Sequence, residues 1–64
     1  MCLSTAYLNE KKEETIVARY VAQVKCAEGK VVLSDIIGME TEVFGSISFI
    51  DLEGGTVVIK ADVA

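Results

Sequence analysis

Histidine and proline are both absent from this sequence. Losing histidine removes the commonest general base and the commonest metal ligand. No Cys/His metal cluster and no Ser/His/Asp set can be assembled. Bases are scarce as well: six against ten acids, for a net charge of −4. Nucleic-acid binders carry basic patches, because neutralising phosphates drives their affinity. Only Lys11 and Lys12 stand together here, which argues against a role on RNA or DNA. No apolar run approaches the 18 or so residues a membrane span needs. The start lacks the basic residues and long apolar stretch of a signal peptide. The expected location is the cytoplasm, where cysteines stay reduced. The two cysteines, Cys2 and Cys26, cannot form a disulfide framework.

What remains is short and apolar. A chain of 64 residues, 52% hydrophobic, with a mean hydropathy of +0.45 is expected to form one domain over residues 1–64. A domain this small buries only about 60% of the surface its unfolded chain exposes. It cannot hide so much apolar surface alone, and pairing with a second copy is the simplest remedy. Glycine and charge supply the punctuation. Breaks fall at Asn9–Glu13, at Glu28-Gly29-Lys30 and at Glu53-Gly54-Gly55, with bends or bulges expected at Gly38 and Gly45.

The segments between read as strands: Cys2–Leu8, Tyr20–Cys26 led in from Thr15, Lys30–Leu33, Thr41–Phe44, Ser46–Leu52 and Thr56–Ile59. In Tyr20–Cys26 the apolar set Tyr20, Ala22, Val24 and Cys26 alternates with a mostly polar one, the period of a half-buried strand. Short strands with frequent turns predict an all-β fold, a small barrel of about six to seven short antiparallel strands. Ser34 to Ile37 has room for one helical turn capped by Ser34 or Asp35. Of the four aromatic residues, Tyr7, Tyr20, Phe44 and Phe49, at least two are expected in the core.

Candidate chemistry is sparse. Gly54-Gly55 is too short for a phosphate loop and reads as a hairpin turn. Asp51 and Glu53 beside it read as solvated turn residues, since a carboxylate pair needs a cleft that a small barrel seldom has. An enzyme is not expected. Cys26, on the apolar face of its strand, reads as a packed core thiol. Cys2 differs because it adjoins the chain terminus. Its thiolate is a soft donor suited to late transition metals. If Met1 is kept, the Met1 amine, the Cys2 amide nitrogen once deprotonated and the Cys2 sulfur close two adjacent five-membered chelate rings. If Met1 is removed, Cys2 alone is an amine–thiolate chelate. Two chains meeting at their N-termini supply an N2S2 square either way. Such a set suits Ni(II) or Cu(II) and does not choose between them. The competing reading of Cys2 is an ordinary residue opening the first strand.

The sequence resembles the CooT-type proteins, a nickel-binding accessory family linked to carbon monoxide dehydrogenase maturation and formerly grouped as predicted RNA-binding proteins. The resemblance rests on Met1-Cys2-Leu3, on Gly29, and on Val32, Leu33, Asp35, Ile36 and Gly38. It closes with Val43-Phe44-Gly45, Ile47, Ile50-Asp51-Leu52, Gly55, Val57 and Ile59. It implies a small β-barrel that dimerises and binds one Ni(II) through Cys2, with Met1 contributing backbone donors. The expected function is that of a cytoplasmic nickel carrier or storage accessory, with a nickel enzyme or its maturation factors as partners. The alternative is a small barrel that binds RNA or protein without metal.

Overall fold

The computed structural model describes residues 3–61. Five strands follow one another: β1 (Ser4–Leu8), β2 (Ile16–Ala27), β3 (Lys30–Asp35), β4 (Glu40–Asp51) and β5 (Thr56–Ala61). They close into a barrel in sequence order. Consecutive strands pair antiparallel. The ring shuts where β1 lies parallel to β5, Thr5 opposite Thr56 and Leu8 opposite Ile59.

The expected all-β class holds, and the strands among the described residues number five rather than six to seven. The difference lies at Gly45. Thr41–Phe44 and Ser46–Leu52 merge into one continuous strand that ends at Asp51, whose first part pairs with β3 and whose second part pairs with β5. At Gly45 the Lys60 backbone crosses so closely that a Cβ would collide with the Lys60 carbonyl oxygen. A side chain there would push the strands apart, so glycine lets β4 turn the barrel corner without ending. β2 turns the other corner: β1 pairs with its residues 16–21 and β3 with 21–27. The register shifts beside this corner, and Tyr20 takes a left-handed φ of 57°.

The region from Ser34 to Ile37 forms no helix. Asp35 is instead the last residue of β3, and its carboxylate accepts hydrogen bonds from the backbone N–H groups of Ile37 and Met39, both at 3.0 Å. The only helical turn among the described residues is a 3-10 turn at Glu13–Thr15, inside the first polar break.

Ala6, Val21, Val31, Leu33, Val57 and Ile59 form the core, with Val17, Ala18, Val24, Val43 and Ile47 packed around them. These are aliphatic side chains of small and middle size. Barrel diameter grows with strand number, and a five-stranded ring has little room for an aromatic ring. Accordingly none of the four aromatic residues is in the core: Tyr20, Phe44 and Phe49 are exposed and Tyr7 is half-buried. The expectation of two core aromatics fails for that reason.

Candidate functional site

At one end of the barrel the start of β1 lies against the β4–β5 turn. Leu3 precedes β1, and its carbonyl lies against Gly55 so closely that a Cβ there would come within 3.1 Å of it. Gly55 has a φ of 70°, so glycine serves both the turn and the approach of the N-terminal segment. The Thr5 N–H donates to the Gly55 carbonyl at 2.9 Å, fastening the two. On the other side of β1, Ser4 pairs with Val21, and Val21 pairs with Asp35. The β3–β4 turn therefore begins two strands, or about 10 Å, from the start of β1.

The two turns share one construction. Asp35-Ile36-Ile37-Gly38 and Asp51-Leu52-Glu53-Gly54 each begin with an aspartate ending a strand. The Asp51 carboxylate accepts from the N–H groups of Glu53 at 3.1 Å and Gly54 at 3.0 Å, as the Asp35 carboxylate does from its own turn. Aspartate fits because its short carboxylate reaches backbone N–H groups two and more residues on. Asp51 and Glu53 are thus turn residues, as their position predicted.

Met1 and Cys2 lie outside the described residues. Leu3, to which Cys2 is bonded, is at this end. Cys26 is not a packed core thiol, contrary to expectation: it is exposed. Its cross-strand partner, Val31, is buried, and cross-strand partners share a face of the sheet. The alternation therefore placed Cys26 on the correct face. However, β1 pairs with no residue of β2 beyond Val21, so nothing covers that stretch from the β1 side.

Cys26 instead lines a cleft of about 700 Å³ with Lys30, Ser46, Lys60 and Ala61. That cleft sits at the far end of β5 from Leu3. From Thr56 to Ala61 a strand advances roughly 17 Å. The fold does not bring Cys26 to the end where Cys2 is attached. Among the described residues no group of three or more Cys, Asp or Glu side chains converges as metal ligands do.

Among the described residues three of the six basic side chains are engaged by acids: Lys12 with Glu10 at 3.1 Å, Lys25 with Glu40 at 3.9 Å and Lys30 with Glu42 at 2.8 Å. All are exposed pairs and contribute little stability. No helix among the described residues is long and apolar enough to cross a membrane.

The family model described as "CO dehydrogenase accessory protein CooT" matches residues 1–60. The chain belongs to the CooT family. The CooT match begins with Met1-Cys2 and runs through all five strands except Ala61. Comparison with the curated proteins and with the solved structures finds no match. Membership of an accessory family ties this barrel to carbon monoxide dehydrogenase.

Proposed function

We propose that this CooT-family chain is a cytoplasmic, homodimeric Ni(II)-binding protein, one domain over residues 1–64, that carries or stores nickel for carbon monoxide dehydrogenase maturation. The observation that carries the reading is the CooT match across a Met1-Cys2 start. Nickel is cargo here, and Cys2 is its ligand. The donor set fits: a soft thiolate with the backbone nitrogens of Met1 and Cys2 favours the square-planar geometry that Ni(II) prefers. One chain does not complete four donors from Cys2 alone, so the Cys2 thiolates of two subunits share one ion. The accessory family and the lack of an acid–base constellation both support a non-enzymatic role.

The location of Leu3 supports transfer. Leu3 is half-buried at an open end of the barrel, not threaded through the core. Delivery by ligand exchange needs a ligand that incoming donor groups can reach, and attachment at the start of β1, not within the core, favours that. A site shared by two subunits also couples cargo to assembly, because an ion that binds only the dimer favours it by mass action.

The test is a nickel titration of three proteins. The unaltered chain binds one Ni(II) per two chains and shows thiolate-to-nickel charge-transfer absorbance. Cys2→Ser loses both. Cys26→Ser keeps both, since Cys26 lies at the other end of the barrel. An unchanged titration in Cys2→Ser would sink the reading.

A further inference from the structure

We infer that the open edge of β2 at Val24–Cys26 is a docking edge for an extended segment of a partner protein, which adds there as a further strand and sets an acidic side chain against Lys60. The inference rests on the accessory reading for the class of partner, a client protein. The geometry of the edge supplies the rest.

The edge is open on one side. β3 pairs with β2 as far as Ala27, opposite Lys30. Only Glu28 and Gly29 join those two residues, so Ala27 and Lys30 exchange both of their backbone hydrogen bonds. Alternation along the ladder then turns the N–H and C=O groups of Lys25 toward β3, and those of Val24 and Cys26 away from it. On that far side β1 pairs with β2 no further than Val21. Among the described residues, no other backbone group bonds to Val24 or Cys26 there. From Ala22 to Ala27 every residue is exposed except the half-buried Val24. A row of unpaired backbone donors and acceptors is a template for another strand.

The cleft beside the edge fits what such a strand carries. Cys26 and Ala27 line it from β2. At Ala61 the Asn9 carboxamide oxygen accepts the backbone N–H at 2.9 Å, so the β5 part of the lining is already capped. The β2 part is not. Val31 and Ile47 give the cleft apolar surface, and Val31 shares a sheet face with Cys26. Side chains of an added strand alternate between the two faces. Every second one therefore points to this inner face and covers apolar surface.

Charge specifies the segment further. Lys30 and Lys60 line the cleft and no acid does, in a chain of net charge −4. Lys30 is held by Glu42 at 2.8 Å, whereas Lys60 has no acidic partner among the described residues. A carboxylate on the incoming strand complements Lys60. The same cations disfavour a second copy as occupant, because edge-to-edge pairing crowds the lysines of both edges, and an edge lysine such as Lys25 guards against such pairing. The cleft lies at the far end of β5 from Leu3, so a client held here leaves the Leu3 end unobstructed.

Phage display of short random peptides on the metal-free full chain, followed by titration of the selected peptides as free compounds into isotope-labelled protein, tests this. Binders are expected to carry β-branched residues around a carboxylate. On binding, amide exchange slows most at Val24 and Cys26 and little at Lys25 and Ala27, whose N–H groups already bond to β3. Cys26→Pro removes one outward N–H, leaves the β3 ladder intact and should weaken binding about tenfold. Cys26→Ser binds as the unaltered chain does, because the backbone and not the thiol is recognised. Lys60→Glu binds the acidic peptides about fivefold more weakly. An absence of binders, unchanged exchange at Val24 and Cys26, or unaltered affinity in Lys60→Glu overturns the inference. Slow exchange of both amides in the chain alone overturns it too, since the edge is then already covered. If Cys26→Pro does not fold, peptides methylated on alternate backbone nitrogens decide: loss of affinity in one of the two sets supports strand addition, and loss in neither overturns it. Nickel titration separates the two readings. Cys26→Pro should bind nickel normally and Cys2→Ser should bind the peptides normally, so either reading can fail alone.

Discussion

Gly45 shows how much one missing side chain decides. Its neighbour across the corner is the backbone of Lys60, which cannot rotate away as a side chain could. Gly45→Ala therefore has to separate β4 from β5, at a cost of about 3 kcal/mol, comparable to overpacking a core. Urea unfolding monitored by circular dichroism should show the unfolding free energy falling by that amount. Asp35 and Asp51 act more locally, each holding its turn by hydrogen bonds from two backbone N–H groups. Their positions before Ile36 and Leu52 explain how strongly apolar residues come to stand in solvent without the turns collapsing onto the core.

Within the strands, side-chain size sorts inside from outside. Leu33 is buried at 1% exposure while Phe44, the larger group, is 67% exposed. Leu33→Ala is expected to cost about 2–5 kcal/mol. Phe44→Ala should change the stability of the protomer by less than about 0.5 kcal/mol. Thermal unfolding of the two variants side by side checks this, and equal losses would contradict a core built only of aliphatic groups. The hairpin at Glu53-Gly54-Gly55 and the strand through Val24 were legible in the sequence, because glycine pairs and alternation act over a few residues. The union of two predicted strands through Gly45 was not, since Gly45 opposes Ala61, a long-range contact. Tyr20 was misplaced for a related reason: a left-handed residue at the β2 corner breaks the alternation that assigned it inward.

For the molecule as a whole, the proposed cargo and the proposed dimer are linked equilibria. If two Cys2 thiolates clamp one nickel ion, saturating metal stabilises the folded dimer. The gain is about 2.7 kcal/mol at a free concentration one hundred times the dissociation constant. Differential scanning calorimetry should show the melting temperature rising with nickel and with protein concentration in the unaltered chain. Cys2→Ser should show the dependence on protein concentration alone, and a chelator should return the unaltered chain to its metal-free value.

Composition and local pattern were enough to determine that this chain is all-β, acidic and without a histidine-based site. They also singled out Cys2 as the candidate donor, because such properties depend on residue type and on spacing over a few positions. Which residues share an end of the barrel was decided only by closure of the sheet. Pairing of β1 with β5 spans the whole chain, and it sets Leu3 beside Gly55 and far from Cys26. Alternation reports which face of a strand a residue occupies. It does not report whether another strand covers that face, and for Cys26 none does.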